Sequence, residues 1–223
     1  MEILDGKKTA AAIKDEIARA VDELQSTGAK QPHLAAILVG VDGASITYVN
    51  AKMRDCEEVG FKSTCIRLAE DISETELMVE IDKLNKDSDI DGFIVQLPLP
   101  KHINEKRVIM AIRPEKDVDG FHPQNVGNMM LNFPGFLPAT PYGIVQLIKR
   151  YGVETSGKHC VVIGRSSIVG SPVSVLMGRN AYPGNCTVTL CHSRTKNIKE
   201  LTLQADILIC ALGKPEFVTQ DMV

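Results

Sequence analysis

HCVVIGRSSIVGSP, residues 159–172, runs from a short apolar segment through a glycine-containing loop into the start of a predicted helix. His159–Ile163 is predicted to be a buried strand because it is short and apolar. A strand, a glycine loop and a helix N-terminus in this order can bind a phosphate group. The loop is not a standard GxGxxG motif, because Ser166 replaces the second glycine and the third is displaced. A tight turn without a ligand is the alternative interpretation.

The next predicted strand, Cys186–Cys191, ends in the polar segment His192-Ser-Arg-Thr195. In NAD-binding folds an acidic residue at this strand end holds the ribose 2′-hydroxyl, whereas a nearby arginine suits a 2′-phosphate. The segment contains no acid but does contain Arg194, and Arg165 lies in the glycine loop. These residues favour NADP over NAD. A further buried strand is predicted at Ala205–Gly213.

The N-terminal half shows the same alternation of strands and helices. Strands are predicted at His33–Gly40, Lys62–Leu68 and Asp91–Gln96, with amphipathic helices between them. This order predicts an α/β fold with parallel strands and right-handed crossovers.

The segment Leu137-Pro-Ala-Thr-Pro141 is interpreted as an interdomain boundary. Thr140 is predicted to cap a following helix that begins at Pro141. We therefore predict two domains, an α/β domain at residues 1–140 and a Rossmann dinucleotide-binding domain at residues 141–223.

A candidate for chemistry lies in the first domain, in the predicted helix ASITYVNAKMRDCEEVG at residues 44–60. Ser45 is predicted to cap its start, and Gly60 lies just past its end. Lys52 falls on the margin of the apolar stripe and shares a face with Tyr48, four residues earlier. A lysine beside a phenol in a half-buried cleft can transfer protons near neutral pH. The alternative is a solvated lysine with a packed stem.

Two other segments place polar groups near this helix. Gln96 lies at the carboxyl end of a predicted strand, where ligands bind in parallel sheets. Residues 116–123, KDVDGFHP, combine two acids, a histidine, a glycine and a proline without a regular period. Such a rigid polar loop is a candidate site, although a solvated turn has a similar composition.

Composition excludes several classes of function. The chain has 223 residues, 44% hydrophobic and 24% charged, with a net charge of −3, so we predict a globular protein without nucleic-acid or membrane partners. It lacks an apolar run of membrane-spanning length and the apolar core of a signal peptide. The six cysteines form no CxxC pair, so we expect reduced thiols in a cytoplasmic protein and no metal site.

Five sequence blocks together resemble one known family, and the resemblance covers essentially the whole chain. The blocks are TYVNAK at 47–52, DGFIVQLPLP at 91–100, KDVDGFHP at 116–123, LPATPYG at 137–143 and GRSSIVGSP at 164–172. In order and spacing they are similar to the bifunctional methylenetetrahydrofolate dehydrogenase/methenyltetrahydrofolate cyclohydrolase family. The Tyr-x-x-x-Lys pattern also marks short-chain dehydrogenases, but there it follows the dinucleotide loop instead of preceding it.

The resemblance implies a folate-binding catalytic domain, an NADP-binding Rossmann domain and a folate cleft between them. It implies that Lys52 is the catalytic lysine, that Gln96 hydrogen-bonds this lysine and that Asp119 holds the pterin ring. The implied catalytic residues are Lys52, Tyr48, Gln96 and Asp119. The implied substrate-binding residues are Tyr48, Ser45, Gln96, Leu97, Pro98 and Asp119. The implied cofactor-binding residues are Gly164, Arg165, Ser166, Ser167, Gly170, His192, Ser193 and Arg194.

The implied reaction is NADP-dependent oxidation of 5,10-methylenetetrahydrofolate to the methenyl form, followed by hydrolysis to 10-formyltetrahydrofolate. The resemblance also implies a homodimer that acts on tetrahydrofolate derivatives in one-carbon metabolism and purine biosynthesis. The family normally continues beyond the point at which this chain ends, so we expect a truncated Rossmann domain.

Two alternatives stay open. Another two-domain NADP dehydrogenase, of the shikimate type, also pairs a lysine with an aspartate across a cleft. A non-enzymatic protein that binds folate or NADP without turnover is the other alternative.

Overall fold

The computed structural model describes residues 2–223, which form two compact units. One unit is Asp5–Asn125, and the other is Val126–Val223 together with the residues before Asp5. Each unit contains a three-stranded parallel sheet in which the first strand of the unit lies in the centre. The predicted α/β class with parallel strands is confirmed.

The first unit alternates strands and helices. The strands are β1 (His33–Val39), β2 (Lys62–Leu68) and β3 (Gly92–Val95), in the order β2-β1-β3. The helices are α1 (Gly6–Ser26), α2 (Gly43–Glu58), α3 (Glu74–Lys86) and α4 (Glu105–Ala111), and α5 (Pro123–Leu131) begins at the end of this unit.

The sheet of the first unit is covered on both faces because successive residues of β1 point to opposite sides. Ile37 packs in a core with Phe93 of β3 and Leu77 of α3. Leu38 packs on the other face with Val49 of α2. All five of these positions on β1, β3, α2 and α3 are fully or almost fully buried, so α2 is fixed against the sheet by its apolar stripe.

Two predicted helix caps are wrong. Asp42 caps α2, because its carboxylate accepts a hydrogen bond from the Ser45 backbone N–H at 2.8 Å. Thr140 does not cap α6, which begins at Ala139 with Pro138 in the capping position and no side-chain cap. In the first case an acid three residues upstream reaches the same free N–H groups that the predicted cap would have served.

The second unit repeats the same strand order. Its strands are β4 (His159–Ile163), β5 (Thr187–Cys191) and β6 (Ile207–Cys210), in the order β5-β4-β6. Its helices are α6 (Ala139–Arg150), α7 (Gly170–Gly178) and α8 (Ile198–Thr202), and a 3₁₀ turn covers Gln220–Met222. Val161 and Val162 of β4 are completely buried in two cores, one on each face of the sheet.

The cysteines are all free thiols, as predicted. Cys56, Cys160 and Cys191 are buried, whereas Cys210 at the end of β6 is exposed. Burial raises the pKa of Cys160 to about 12, so this thiol stays protonated and behaves as a small apolar core residue. Within residues 2–223, the helices are each too short or too polar to cross a membrane.

Candidate active site and cofactor site

Lys52 and Asp119 form the centre of the candidate active site in the first unit. Lys52 lies on α2 beside the completely buried Val49, and its side chain is 38% exposed. Lys52 Nζ is 3.9 Å from Asp119 Oδ1, at the limit of an ion pair. The amphipathic pattern of α2 therefore places the lysine at the edge of its packed face, as the sequence predicted.

The Asp119 carboxyl is held in a mostly buried position. Its side chain is 20% exposed and lines an apolar hollow with Phe93, Leu97 and Val108. Burial raises the pKa of Asp119 above its ordinary value; the positive charge of Lys52 opposes this rise and the charge of Asp117 adds to it. A carboxyl in such surroundings gains much from a bound donor, because an ionised acid accepts hydrogen bonds strongly where water is scarce.

Gln96 lies at the carboxyl end of β3, just before the Leu97–Pro98 cis peptide bond. Its side-chain Nε2 donates to the Leu97 carbonyl at 2.6 Å. Its Oε1 is buried and accepts no hydrogen bond from residues 2–223. The hydrogen bond expected between Gln96 and Lys52 is therefore not formed here. A buried acceptor without a partner lowers stability by about 1–3 kcal/mol. A hydrogen bond donated to this atom by Lys52 or by a ligand would therefore be favourable.

The remaining predicted substrate residues have different environments. Tyr48 lies one helical turn before Lys52 on α2 and is 65% exposed. Ser45 is buried in the first turn of the same helix, whereas Pro98 is exposed. Leu97 shares its hollow with Asp119. The structure thus joins Lys52 to Asp119 and Leu97 to Asp119, and leaves the Tyr48 ring in solvent.

A cavity of about 340 Å³ opens at the carboxyl ends of β4 and β5 in the second unit. This is the edge at which open parallel sheets bind ligands. Four of the predicted cofactor residues line the cavity: Gly164, Arg165, His192 and Ser193. Five further residues complete the lining: Ile163, Ile198, Leu212, Lys214 and Phe217.

The glycine loop before α7 requires its two glycines for steric reasons. Gly164 has a φ of +111°, and a Cβ there would lie 2.0 Å from the Ala211 carbonyl oxygen. A Cβ on Gly170 would lie 1.9 Å from the Gly164 carbonyl oxygen. Ser166, at the position of the missing glycine, accepts hydrogen bonds from the backbone N–H groups of Val169 and Gly170 through its Oγ, at 3.1 and 3.4 Å.

The other predicted cofactor residues lie around the cavity without lining it. Ser167 and Arg194 are exposed, and His192 Nδ1 accepts a hydrogen bond from the Arg194 backbone N–H at 3.2 Å. The sequence analysis did not identify Lys214 and Phe217. Lys214 Nζ lies over the Phe217 ring, 5.5 Å from its centroid. The signal that could have found them is their position just after the last predicted strand, at the ligand-binding edge.

The cavity fits a dinucleotide phosphate in its chemistry. Two cations, Arg165 and Lys214, line it beside a backbone turn that is compact only because it contains glycine. Phe217 and Ile198 supply apolar surface for a ring. Across residues 2–223, no group of three or more His, Cys, Asp or Glu side chains could hold a metal ion.

Each of the two α/β units has a parallel sheet. One carries a lysine–aspartate pair and the other a glycine-loop cavity, and this combination is typical of dinucleotide-binding α/β enzymes. Two stretches of the sequence match models of one protein family. Residues 4–119 match "Tetrahydrofolate dehydrogenase/cyclohydrolase, catalytic domain", and residues 138–223 match "Tetrahydrofolate dehydrogenase/cyclohydrolase, NAD(P)-binding domain". The chain belongs to the tetrahydrofolate dehydrogenase/cyclohydrolase family, which confirms the resemblance found in its sequence.

Individual relatives agree with this assignment. The bifunctional protein FolD of Cytophaga hutchinsonii is 64% identical over 223 residues, which cover 100% of this chain and 77% of that protein. The crystal structure of the bifunctional FolD enzyme, methylenetetrahydrofolate dehydrogenase/cyclohydrolase, from Campylobacter jejuni superposes with a TM-score of 0.95 at 43% identity, covering 100% of this chain and 78% of that one.

A third relative was solved with ligands. The Trypanosoma brucei methylenetetrahydrofolate dehydrogenase-cyclohydrolase, complexed with NADP cofactor and inhibitor, has a TM-score of 0.90 and 32% identity. The match covers 96% of this chain and 72% of that one.

Proposed function

We propose that this chain oxidises 5,10-methylenetetrahydrofolate with NADP⁺ and hydrolyses the resulting methenyl compound to 10-formyltetrahydrofolate. The observation that carries the proposal is the Lys52–Asp119 pair, 3.9 Å apart, in the unit that matches the family's catalytic domain. One group of the pair can move a proton and the other can accept hydrogen bonds from a heterocycle, which are the two functions that this chemistry needs.

The proposed substrate domain is residues 1–140. In it Lys52 transfers protons during addition of water to the methenyl carbon and opening of the ring. Asp119 accepts hydrogen bonds from the N–H groups of the pterin, and the unpartnered Gln96 Oε1 receives a donor from Lys52 when the substrate is bound. Four further residues are proposed to contact the substrate: Tyr48, Ser45, Leu97 and Pro98.

The proposed cofactor domain is residues 141–223. Arg165 and Lys214 would neutralise phosphate charge, and Ser193 would contact the adenosine-side ribose or phosphate. The further proposed contacts are Gly164, Ser166, Ser167, Gly170, His192 and Arg194. When bound, NADP⁺ accepts the hydride that leaves the methylene bridge of the substrate.

The two steps make different demands on the protein. In the oxidation the adjacent nitrogen lone pairs stabilise the methenyl cation, so the chain's residues mainly orient the substrate and exclude water. In the hydrolysis one water adds to the methenyl carbon, one carbon–nitrogen bond breaks and one proton is released. Lys52 holds and passes that proton, which makes the second step depend on its side chain.

We further propose a homodimer that works in the cytoplasm and supplies formyl groups for purine biosynthesis. The family resemblance supports the dimer and the pathway, and six free thiols support a reducing compartment. Light scattering of the purified chain tests the dimer, since a monomer at micromolar concentration would contradict it.

The function is tested by incubating the purified chain with methylenetetrahydrofolate and NADP⁺ and following the methenyl absorbance. We expect the absorbance to rise and then to decay as 10-formyltetrahydrofolate forms, with NADP⁺ preferred to NAD⁺. Oxidation of shikimate instead would support the other dehydrogenase class. Binding of folate and NADP⁺ without any change in absorbance would support a non-enzymatic role.

A further inference from the structure

The loop that carries Asp119 is tied down by a second acid, Asp117. Asp117 is only 2% exposed. Its Oδ2 accepts one hydrogen bond from the His122 backbone N–H at 2.7 Å and another from Asn125 Nδ2 at 2.9 Å. Asn125 is 3% exposed, and its Nδ2 also donates to the Pro114 carbonyl at 2.9 Å. One buried carboxylate thus joins both ends of the segment around Asp119.

The backbone of the same segment is attached to the sheet. Phe93 of β3 donates from its N–H to the Lys116 carbonyl at 2.9 Å, so Asp117 lies beside the strand as a single parallel bridge. Val118 packs over the start of β3 so closely that a Cβ on Gly92 would lie 2.2 Å from Val118 Cγ1. The loop therefore has a fixed origin at the sheet, and the Asp117 carboxylate fixes its far end.

Burying a carboxylate in order to hold a loop in place has a large desolvation cost. Apolar residues of similar volume are often at least as stabilising. Its two donors are nevertheless well placed, and neither donor is a cation. An acid in this position is best explained by something that an apolar residue cannot supply, namely a defined geometry and a negative charge close to Asp119.

We propose that Asp117 is a positioning residue that, together with Asn125, fixes the 117–122 loop so that Asp119 stays beside Lys52. The inference deepens the proposed function, on which it rests. Asp117 does not contact the reacting atoms. It acts through Asp119 by fixing the loop that carries it. Its negative charge also adds to the effect of burial, which raises the pKa of Asp119.

The charges around Asp119 allow this effect to be measured. Lys52 faces it from α2 and Asp117 adjoins it in the loop, whereas β3 and α4 present only apolar residues such as Phe93 and Val108 to the hollow. Lys52 already has the larger effect of the two charges, and removing the negative charge at 117 leaves that effect unopposed. The pKa of Asp119, which Asp117 helps to raise, then falls.

The test compares Asp117→Asn and Asn125→Ala with the wild type and with Asp82→Asn, a control that removes an exposed carboxylate on α3. We expect Asn125→Ala to raise KM for methylenetetrahydrofolate about tenfold or more with a smaller change in kcat, as for the loss of an oriented contact. We expect Asp117→Asn to move the acidic limb of the kcat/KM profile to lower pH. A general loss of stability would not move that limb.

A second readout is independent of turnover. The ¹³C carboxyl shift of Asp119, assigned through Asp119→Asn, is titrated in the wild type, in Asp117→Asn and in Asp82→Asn. A lower Asp119 midpoint only in Asp117→Asn supports the proposal, even if the wild type proves inactive and the proposed function fails. Unchanged midpoints overturn the charge effect. A KM within twofold of the wild type in Asn125→Ala overturns the positioning role.

Discussion

Lys52 Nζ and Asp119 Oδ1 lie 3.9 Å apart, although one residue belongs to α2 and the other to the loop that precedes α5. The pair lies within a single compact unit. Its geometry therefore depends on how α2 and the loop pack against the three-stranded sheet of that unit. This makes the pair accessible to simple tests of stability and activity.

The first prediction concerns Asp119 and pH. Because its pKa in the folded chain is raised above that of the unfolded chain, the folded state holds this proton more tightly. Ionisation of Asp119 therefore lowers stability at neutral pH, and stability is regained as pH falls through the folded pKa towards the unfolded value. We expect Asp119→Asn, without ligands, to be more stable than the wild type at pH 7, and we expect the difference to shrink towards pH 4. Urea unfolding of both proteins at pH 7 and pH 4 measures this difference in stability. If Asp119→Asn were less stable than the wild type at pH 7, the burial argument would be contradicted.

The second prediction concerns the unpartnered acceptor of Gln96. Replacing Gln96 by Leu removes a buried Oε1 that has no hydrogen-bond partner, at the cost of the bond to the Leu97 carbonyl. We expect the free energy of unfolding to change by less than about 1 kcal/mol, because the two effects offset each other. Cyclohydrolase turnover should fall at least about tenfold. Gln25→Leu, on the exposed face of α1, is the control. Loss of stability with full activity in Gln96→Leu would reverse the interpretation.

The third prediction concerns the glycine loop. Gly164→Ala puts a Cβ 2.0 Å from the Ala211 carbonyl oxygen at a φ of +111°. We expect a loss of at least about 2 kcal/mol in unfolding free energy, from strain and displacement of the loop, and weaker NADP⁺ binding. Gly127→Ala is the matched control, because a Cβ there meets no atom within 4 Å and lies inside α5. That variant should be as stable as the wild type or up to about 1 kcal/mol more stable. Equal effects in the two variants would contradict the steric argument.

The fourth prediction concerns Lys214, which lines the cavity together with Arg165. Lys214→Met keeps most of the apolar stem of the side chain but removes the charge, and with it the cation–π contact with the Phe217 ring. We expect KM for NADP⁺ to rise about three- to tenfold, as for the loss of one partly exposed charge-assisted contact, and the difference from the wild type to shrink at high salt. Lys158→Met, at an exposed ion pair before β4, is the control. A salt-independent change would indicate that packing, not charge, is responsible.

The strands were the most predictable part of the fold. Lys62–Leu68 and His159–Ile163 have the bounds that the sequence indicated. The second is a short apolar run, which is typical of a buried strand. Helix α5 was not predicted. Its sequence, PQNVGNMML, contains a glycine and two asparagines, which disfavour helices, so only the context of the fold makes it helical.

The site was predictable where it depends on one element and less so where it depends on several. The position of Lys52 on the margin of α2 follows from helical periodicity alone. The capping role of Asp42 and the missing Gln96–Lys52 hydrogen bond depend on side-chain geometry that spacing does not encode. The two hydrogen bonds to Asp117 that close the Asp119 loop were equally unpredictable. They join residues five and eight positions apart in a segment without a regular period.

The most direct test of the account is the rate at which Lys52→Met hydrolyses 5,10-methenyltetrahydrofolate, measured beside Lys86→Met, which removes an exposed lysine of α3. After subtraction of the uncatalysed rate, we expect Lys86→Met to match the wild type. A folded Lys52→Met should be slower by about 100-fold or more, the usual contribution of one general acid–base group. A Lys52→Met rate close to that of the wild type would contradict the central claim that this lysine moves the proton.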